Sequence, residues 1–163
     1  MIELHSTPTP NGQKVMIMLE ETGLEWKHVD VNIRTGDQFK AEYLKLSPNN
    51  KIPTIVDSDG PGGKPYTMME SVAILWYLAE GTAFAPATRL ERAQTLQWMF
   101  FEQYSHEPYI AVVRFWRHFL ERLSPQQEAS LPDLMKKGYA TLDVMERHLS
   151  AHDFLVEIGR AHV

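Results

Sequence analysis

The sequence predicts an α/β domain with a mixed four-stranded sheet, followed by an all-α helical domain. Three features indicate this fold class. Apolar patterns typical of strands and helices alternate in the order βαβαββα over residues 1–80. Residues 81–88, GTAFAPAT, show neither pattern, and we interpret them as a linker. From residue 89 to residue 156, helical periodicity alone remains.

The chain starts with a βαβ unit. Residues 2–5 alternate in polarity as a strand does, and a turn-rich loop follows them. Apolar residues then recur at helical spacing until Gly23, a plausible end for the helix. A second strand is predicted over residues 26–31, and right-handed parallel pairing with the first strand is the default.

The second half of this domain is predicted to hold a short helix, two antiparallel strands and a buried helix. Residues 58–65, SDGPGGKP, are dense in turn formers, so the strands on either side of them should form a hairpin. These elements are predicted over residues 38–46, 54–57 and 66–69, and from residue 70 onward.

The helical domain is predicted to begin with a long helix over residues 90–123, which Pro108 kinks or restarts. Residues 124–127, Ser-Pro-Gln-Gln, form a capping box that starts another helix reaching about residue 149. Pro132 could instead move that start to Ser130.

Composition limits the function. The net charge is -5, with 16 basic and 21 acidic residues, so we expect no nucleic-acid partner and no anionic membrane partner. No apolar run is long enough for a membrane span and the first residues do not resemble a signal peptide, so we expect a cytoplasmic protein. Cysteine is absent, and any thiol chemistry must therefore use the sulfur of a bound molecule.

The segment SPNNKIPTIVD, residues 47–57, places Pro53 directly before a predicted strand. Proline in a sheet belongs at a strand start, an edge or a turn, and a cis bond there usually has a specific structural role, so the Ile52–Pro53 bond is a candidate site feature. A cis Ile52–Pro53 bond would leave the backbone of Ile52 open to pairing with an extended peptide. The alternative is a proline that merely starts a strand.

Glu70 and Ser71 form a second candidate binding element, where a strand ends and a helix begins. The Ser71 hydroxyl and nearby backbone N–H groups form an anion site, and Glu70 can pair with an ammonium. The alternative is an ordinary helix cap beside an acidic residue.

Three motifs together resemble the cytosolic glutathione transferases, and more narrowly the bacterial nu-class enzymes that reduce disulfides with glutathione. The motifs are TPTPNGQK at residues 7–14, SPNNKIPTIVD at 47–57 and ESVAILWYLAE at 70–80. The resemblance implies a thioredoxin-like glutathione-binding domain over residues 1–80 and the first part of a helical domain over 89–156. It also implies a homodimer and glutathione as cosubstrate, with a small disulfide or an electrophile as second substrate.

This resemblance assigns roles to particular residues. Ile52 would pair with the cysteinyl part of glutathione beside Pro53, and Glu70 with Ser71 would hold the γ-glutamyl group. Lys51 and Gln38 would face the glycyl carboxylate, with Asn50 completing the shell. Taken alone, Lys51 is more typical of a solvated surface lysine.

Activation of the glutathione thiol is expected at the start of the first helix. A helix N-terminus with hydrogen-bond donors lowers a thiol pKa. No tyrosine occurs in this loop, and Ser6, Thr7, Thr9 and Asn11 compete for the role. Following the nu-class pattern, we predict Thr9 and Asn11 as catalytic, against the alternative that they only shape the turn and cap the helix.

The pocket for the second substrate is the least defined part of the prediction. Polar and aromatic side chains near Pro108 are candidates, although helix-bundle packing is the more common role for aromatics there. The candidates are Tyr104, His106, Tyr109 and Arg114. No metal site is expected, because His148 and His152 lack a third ligand at a convincing spacing.

The preferred function is therefore a glutathione-dependent thiol-disulfide oxidoreductase or glutathione transferase. The alternative is a non-catalytic glutathione-binding regulatory or interaction module. Residues 157–163, EIGRAHV, fit none of the preceding pattern and match a translated sequencing adaptor, so we expect a non-native tail and an incomplete helical domain.

Overall fold

The structure, a computed structural model, describes residues 1–156. The tail at 157–163 lies outside these residues. The chain divides into two compact units, with the boundary between Ala85 and Pro86.

The first unit contains four strands, three α-helices and a 3-10 helix. The strands are β1 (Ile2–Ser6), β2 (Trp26–Asp30), β3 (Thr54–Gly60) and β4 (Lys64–Met69). The helices are α1 (Pro10–Thr22), the 3-10 helix Asp37–Phe39, α2 (Ala41–Leu46) and α3 (Ser71–Ala79).

The sheet has the order β2-β1-β3-β4. β1 pairs in parallel with β2, while β3 runs antiparallel to both β1 and β4. The predicted mixed four-stranded sheet is therefore confirmed.

The core of this unit lies between the sheet and helices α1 and α3. Leu4, Leu19, Ile55 and Ile74 are each fully shielded from solvent within it. Helix α3 was predicted to be buried. Its face with Ile74 and Leu78 is buried, whereas Ala73 is exposed.

The second unit is helical, as predicted. It contains α4 (Arg89–Phe101), a π-helix (Glu102–Ala111), α5 (Val112–Phe119) and α6 (Pro125–Leu149). The Ser124–Gln127 capping box is present with both reciprocal hydrogen bonds, so α6 starts after Ser124 and Pro132 lies inside it.

Pro108 neither interrupts nor restarts the helix; it lies within the π-helical segment. Proline lacks an N–H and its ring clashes with the carbonyl four residues earlier in an α-helix, and a wider turn relieves that clash. The Thr141 hydroxyl of α6 lies 3.0 Å from the Ser105 carbonyl oxygen of the widened turn and 3.0 Å from the Lys137 carbonyl oxygen of its own helix, and it shares its one hydrogen between them.

Two helix boundaries differ from the prediction. The helix expected over residues 38–46 is divided at Lys40, which has extended backbone angles, into the 3-10 turn and α2. The helix expected to reach residue 123 ends at Phe119, because Leu120 is extended and the chain then leads into the Ser124 cap. Between residues 1 and 156, no helix combines the length and the apolar character that crossing a membrane requires.

Candidate functional site

Strand direction brings four connections to one edge of the sheet. β1 and β2 are parallel, so the loop after Ser6 and the segment after Asp30 leave from the same edge. β3 enters at that edge, because Thr54 pairs with His5. β4 ends there, because Met69 pairs with Thr54. The predicted residues of the first unit lie in these four connections or next to them.

The loop before β3 presents an unpaired backbone. The Ile52–Pro53 bond is cis, as predicted, and Pro53 is buried. Neither the N–H nor the C=O of Ile52 has a hydrogen-bond partner among residues 1–156. Asn50 has a φ of 49°, in the left-handed region that asparagine tolerates better than most residues. The loop therefore offers one donor and one acceptor to an extended ligand backbone.

The junction between β4 and α3 has an unusual backbone. Glu70, the residue before the helix, has φ 73° and ψ 106°, angles that a non-glycine residue adopts only when its surroundings impose them. The Ser71 side chain is 7% exposed, and its hydroxyl has no hydrogen-bond partner among the described residues. Together with the first N–H groups of α3, this hydroxyl forms a set of donors suited to a carboxylate.

The start of α1 supplies a second set of donors. Thr9 is the N-cap, and its hydroxyl accepts a hydrogen bond from the Gly12 N–H at 3.3 Å. This leaves the Thr9 hydroxyl hydrogen available to donate. In the part of the chain that the structure describes, the Asn11 backbone N–H and side-chain amide are without partners. Thr9 and Asn11 can thus both donate to an anion at this helix end.

Burial separates the four candidates of this loop. Ser6 is fully buried, and His28 Nε2 lies 3.0 Å from its carbonyl oxygen and 3.3 Å from its hydroxyl. Ser6 therefore supports the loop from inside and cannot contact a ligand. Thr7, Thr9 and Asn11 are partly exposed.

The Lys51 ammonium is exposed and makes no ion pair within residues 1–156. Glu70 is also exposed and without an ion pair in that part of the chain. These two opposite charges belong to the connections on either side of the β3–β4 hairpin. They suit a ligand that carries both charges.

Gln38 lies in the 3-10 helix between β2 and α2. Its Nε2 donates to the Ile33 carbonyl oxygen at 3.3 Å, while its Oε1 is buried without a partner among the described residues. The neighbouring Asp37 shapes this segment, because its carboxylate accepts from the Asn32 N–H and from Lys40. The Lys40 ammonium, hydrogen-bonded at 2.7 Å, lowers the pKa of Asp37 below its usual value.

The four candidates for a second-substrate pocket have different neighbours. Tyr104 is 82% exposed, whereas His106 has a buried Nδ1 with no partner among residues 1–156. The Tyr109 ring lies 5.7 Å from the Lys137 ammonium. Arg114 lies 5.6 Å from the Phe119 ring. Their assignment to one pocket stays a prediction.

Sequence reasoning missed two buried residues next to this site, Tyr43 and Ser47. Both hydroxyls contact the carbonyl oxygen of Lys51, at 2.6 and 2.8 Å. The signal available in the sequence was their spacing of four residues, which places Ser47, the C-cap of α2, one turn after Tyr43.

The His148 and His152 rings stack at 4.3 Å between centroids. Within residues 1–156, no group of three or more His, Cys, Asp or Glu side chains is arranged to hold a metal ion.

Comparison with known proteins gives consistent matches. Residues 9–80 match the family model "Glutathione S-transferase, N-terminal domain". The disulfide-bond oxidoreductase YfcG of Escherichia coli is 50% identical over 104 residues, which is 63% of this chain and 48% of that protein. The disulfide-bond oxidoreductase YghU of E. coli is 34% identical over 161 residues, 94% of this chain and 54% of that protein. The chain thus spans about half the length of these curated relatives.

A solved structure is similar over almost the whole chain. It is a glutathione transferase from Pseudomonas putida with one glutathione disulfide bound per subunit. Sequence identity is 38% and the TM-score is 0.87, over 96% of this chain and 68% of that one.

Proposed function

This chain belongs to the glutathione S-transferase family, and on that premise we propose that it binds glutathione at the sheet edge and uses the bound thiol to reduce disulfides. The observation that carries the proposal is the unpaired Ile52 backbone between two donor sets, at Ser71 and at the start of α1. A short peptide with a free carboxylate, an ammonium and a thiol has complementary groups for each of these elements.

Glutathione fits the arrangement group by group. Its γ-glutamyl carboxylate would accept from the Ser71 hydroxyl and the first N–H groups of α3, and its ammonium would pair with Glu70. Its cysteinyl backbone would pair with the N–H and C=O of Ile52 as a short strand does. Its glycyl carboxylate would lie toward Lys51 and Gln38.

The thiol would then lie at the start of α1. The helix dipole and the donors Thr9 and Asn11 stabilise a thiolate more than a thiol, which lowers the thiol pKa from about 8.5. The chain has no cysteine of its own, so the bound sulfur is the nucleophile.

Disulfide reduction then takes place in two exchanges. The bound thiolate attacks one sulfur of the substrate disulfide, forming a mixed disulfide with glutathione and releasing the other sulfur as a thiolate. A second glutathione thiolate attacks the mixed disulfide, giving glutathione disulfide and the second substrate thiolate. Two glutathiones are oxidised for each disulfide reduced. The names of YfcG and YghU, and the ligand of the P. putida structure, support this reaction class.

Turnover of a small disulfide such as bis(2-hydroxyethyl) disulfide tests the proposal. We expect glutathione-dependent thiol release that saturates with glutathione and falls in Asn11→Ala. Saturable glutathione binding with no turnover of disulfides or electrophiles would instead indicate a non-catalytic glutathione-binding module. A homodimer in the cytoplasm remains our prediction, and sedimentation velocity tests the dimer.

A further inference from the structure

We propose that Tyr43 and Ser47 are positioning residues for the glutathione site, because they orient the Lys51–Ile52 peptide so that the Ile52 N–H points to the ligand. This inference rests on the proposed function. It adds a role for two residues that, in the proposed function, make no contact with glutathione.

Both hydroxyls converge on one backbone atom. The Tyr43 hydroxyl donates to the Lys51 carbonyl oxygen at 2.6 Å, and the Ser47 hydroxyl donates to the same oxygen at 2.8 Å. The Lys51 N–H in turn donates to the Ser47 oxygen at 3.2 Å. A carbonyl oxygen has two lone pairs, so the two hydroxyls together satisfy it fully.

The planarity of the peptide bond transmits this orientation. The Lys51 carbonyl and the Ile52 N–H belong to the same peptide unit, which is planar, and in a trans unit they point in opposite directions. Since two hydroxyls hold the carbonyl toward α2, the Ile52 N–H is directed to the other side. That N–H is the group without a partner among residues 1–156.

Burial makes the arrangement rigid. Ser47 and Thr54 are fully buried and Tyr43 is 6% exposed. The Tyr43 hydroxyl has one hydrogen, which it gives to Lys51, so it accepts from the Thr54 hydroxyl, 3.2 Å away. Burial raises the pKa of Tyr43, so its hydroxyl remains a donor at neutral pH.

The direction of these hydroxyls distinguishes them from ordinary helix serines and threonines. Such side chains commonly donate to a carbonyl three or four residues earlier in their own helix, as Thr22 does to Met18 at 2.7 Å. Ser47 lies at the end of α2, and its hydroxyl donates forward to the loop instead. The two hydroxyls therefore serve the loop geometry.

The test compares glutathione affinity in Tyr43→Phe and Ser47→Ala with the wild-type protein by isothermal titration calorimetry. Each substitution removes one oxygen atom. The matched control is Tyr77→Phe, which also removes a tyrosine hydroxyl bonded within the first unit, to Asp57 at 2.7 Å. Asp57 pairs with Ile2, at the end of β1 opposite the site. Circular dichroism establishes that each variant is folded at the titration temperature.

We expect Tyr43→Phe and Ser47→Ala each to weaken glutathione binding by about three- to tenfold, the effect of losing roughly one hydrogen bond. Amide exchange at Ile52, followed by NMR without ligand, should also change in both variants. Tyr77→Phe should lower the melting temperature but leave affinity and Ile52 exchange unchanged.

Two results would overturn this inference and leave the proposed function standing. One is wild-type affinity for glutathione in both Tyr43→Phe and Ser47→Ala; the other is an equal loss of affinity in Tyr77→Phe. Failure of the proposed function gives a different result, since the folded wild-type protein would then show no saturable glutathione binding. That result removes the inference as well.

Discussion

Thr54 of β3 pairs with Met69 of β4, and this register sets the next residues outward, Pro53 and Glu70, side by side at one edge of the sheet. The loop with the unpaired Ile52 backbone and the Glu70–Ser71 junction therefore lie at one end of a single hairpin. Pro53 and Glu70 are 17 positions apart in the chain, but the pairing of β3 with β4 brings them next to each other. Under the proposed function the loop and the junction each contribute separately to glutathione binding, so each can be tested separately.

Removing the Ser71 hydroxyl should weaken glutathione binding. Ser71→Ala takes away a buried donor, and a carboxylate left short of a partner costs ~1–3 kcal/mol, or about five- to 160-fold in the dissociation constant. Ser58→Ala is the control, because Ser58 is exposed near the opposite end of β3. Equal affinities for glutathione in Ser71→Ala and Ser58→Ala would contradict the assignment.

Replacing the Lys51 ammonium should lower both the affinity and its salt dependence. Lys51 is exposed, so its attraction for a carboxylate is modest and screened by salt. We expect Lys51→Met to weaken binding by about two- to fivefold at low salt and to flatten the dependence on salt. Lys45→Met, at another exposed lysine in the same unit, should retain the wild-type salt dependence.

Replacing Asn11 should change the pKa of the bound glutathione thiol more than the affinity for glutathione. The Asn11 backbone N–H and side-chain amide, which have no partner among residues 1–156, lie at the N-terminus of α1, where under the proposed function they would stabilise a thiolate. We expect Asn11→Ala to raise the pKa of the bound glutathione thiol, measured from the ultraviolet absorbance of the thiolate, with a smaller change in affinity. An unchanged thiol pKa in Asn11→Ala and in Thr9→Val would remove both residues from the catalytic role.

Gly12 has no room for a side chain. An added Cβ would lie 2.6 Å from the Thr7 carbonyl oxygen and 3.2 Å from the Ser6 hydroxyl oxygen. Gly12→Ala should therefore displace the loop before α1, lower stability by ~1–3 kcal/mol and reduce turnover. Gln13→Ala, one residue further along the same helix, is exposed and should change neither quantity. Urea unfolding of both variants measures the difference.

Tyr77 should make stability sensitive to alkaline pH. Burial first, and then its hydrogen bond to Asp57, raise the pKa of Tyr77 from 10.0 to about 12. The pKa of Tyr77 is higher in the folded state than in the unfolded state. The contribution of the protonated Tyr77 hydroxyl to the stability of the fold is therefore complete below about pH 10 and is lost as the pH rises toward about 12. Melting temperatures between pH 9 and about 12 should fall more steeply in wild type than in Tyr77→Phe. Parallel curves would contradict this coupling.

The sequence predicted the fold because the relevant signals are local. Polarity alternation, turn residues such as 61–63 and the Ser124 capping box each determine a short segment, and the structure confirms the sheet and the helical second unit. The cis bond before β3 was also predicted, from the position of Pro53.

The features that the sequence did not predict depend on contacts between residues that are distant in the chain. The spacing of Tyr43 and Ser47 indicates that they lie one turn apart, but not that both hydroxyls are directed at Lys51. The choice among the hydroxyls of the first loop depends on the burial of Ser6, which His28 of β2 contacts. The π-helix around Pro108 is likewise contacted by Thr141 of α6, which is distant from it in the sequence.

The most direct test of the account is calorimetric titration of the wild-type protein with glutathione and with glutathione disulfide. Circular dichroism should establish first that the protein is folded. The account predicts saturable binding of both ligands, weakened for both by Ser71→Ala. A folded protein that binds neither ligand would contradict the glutathione site itself.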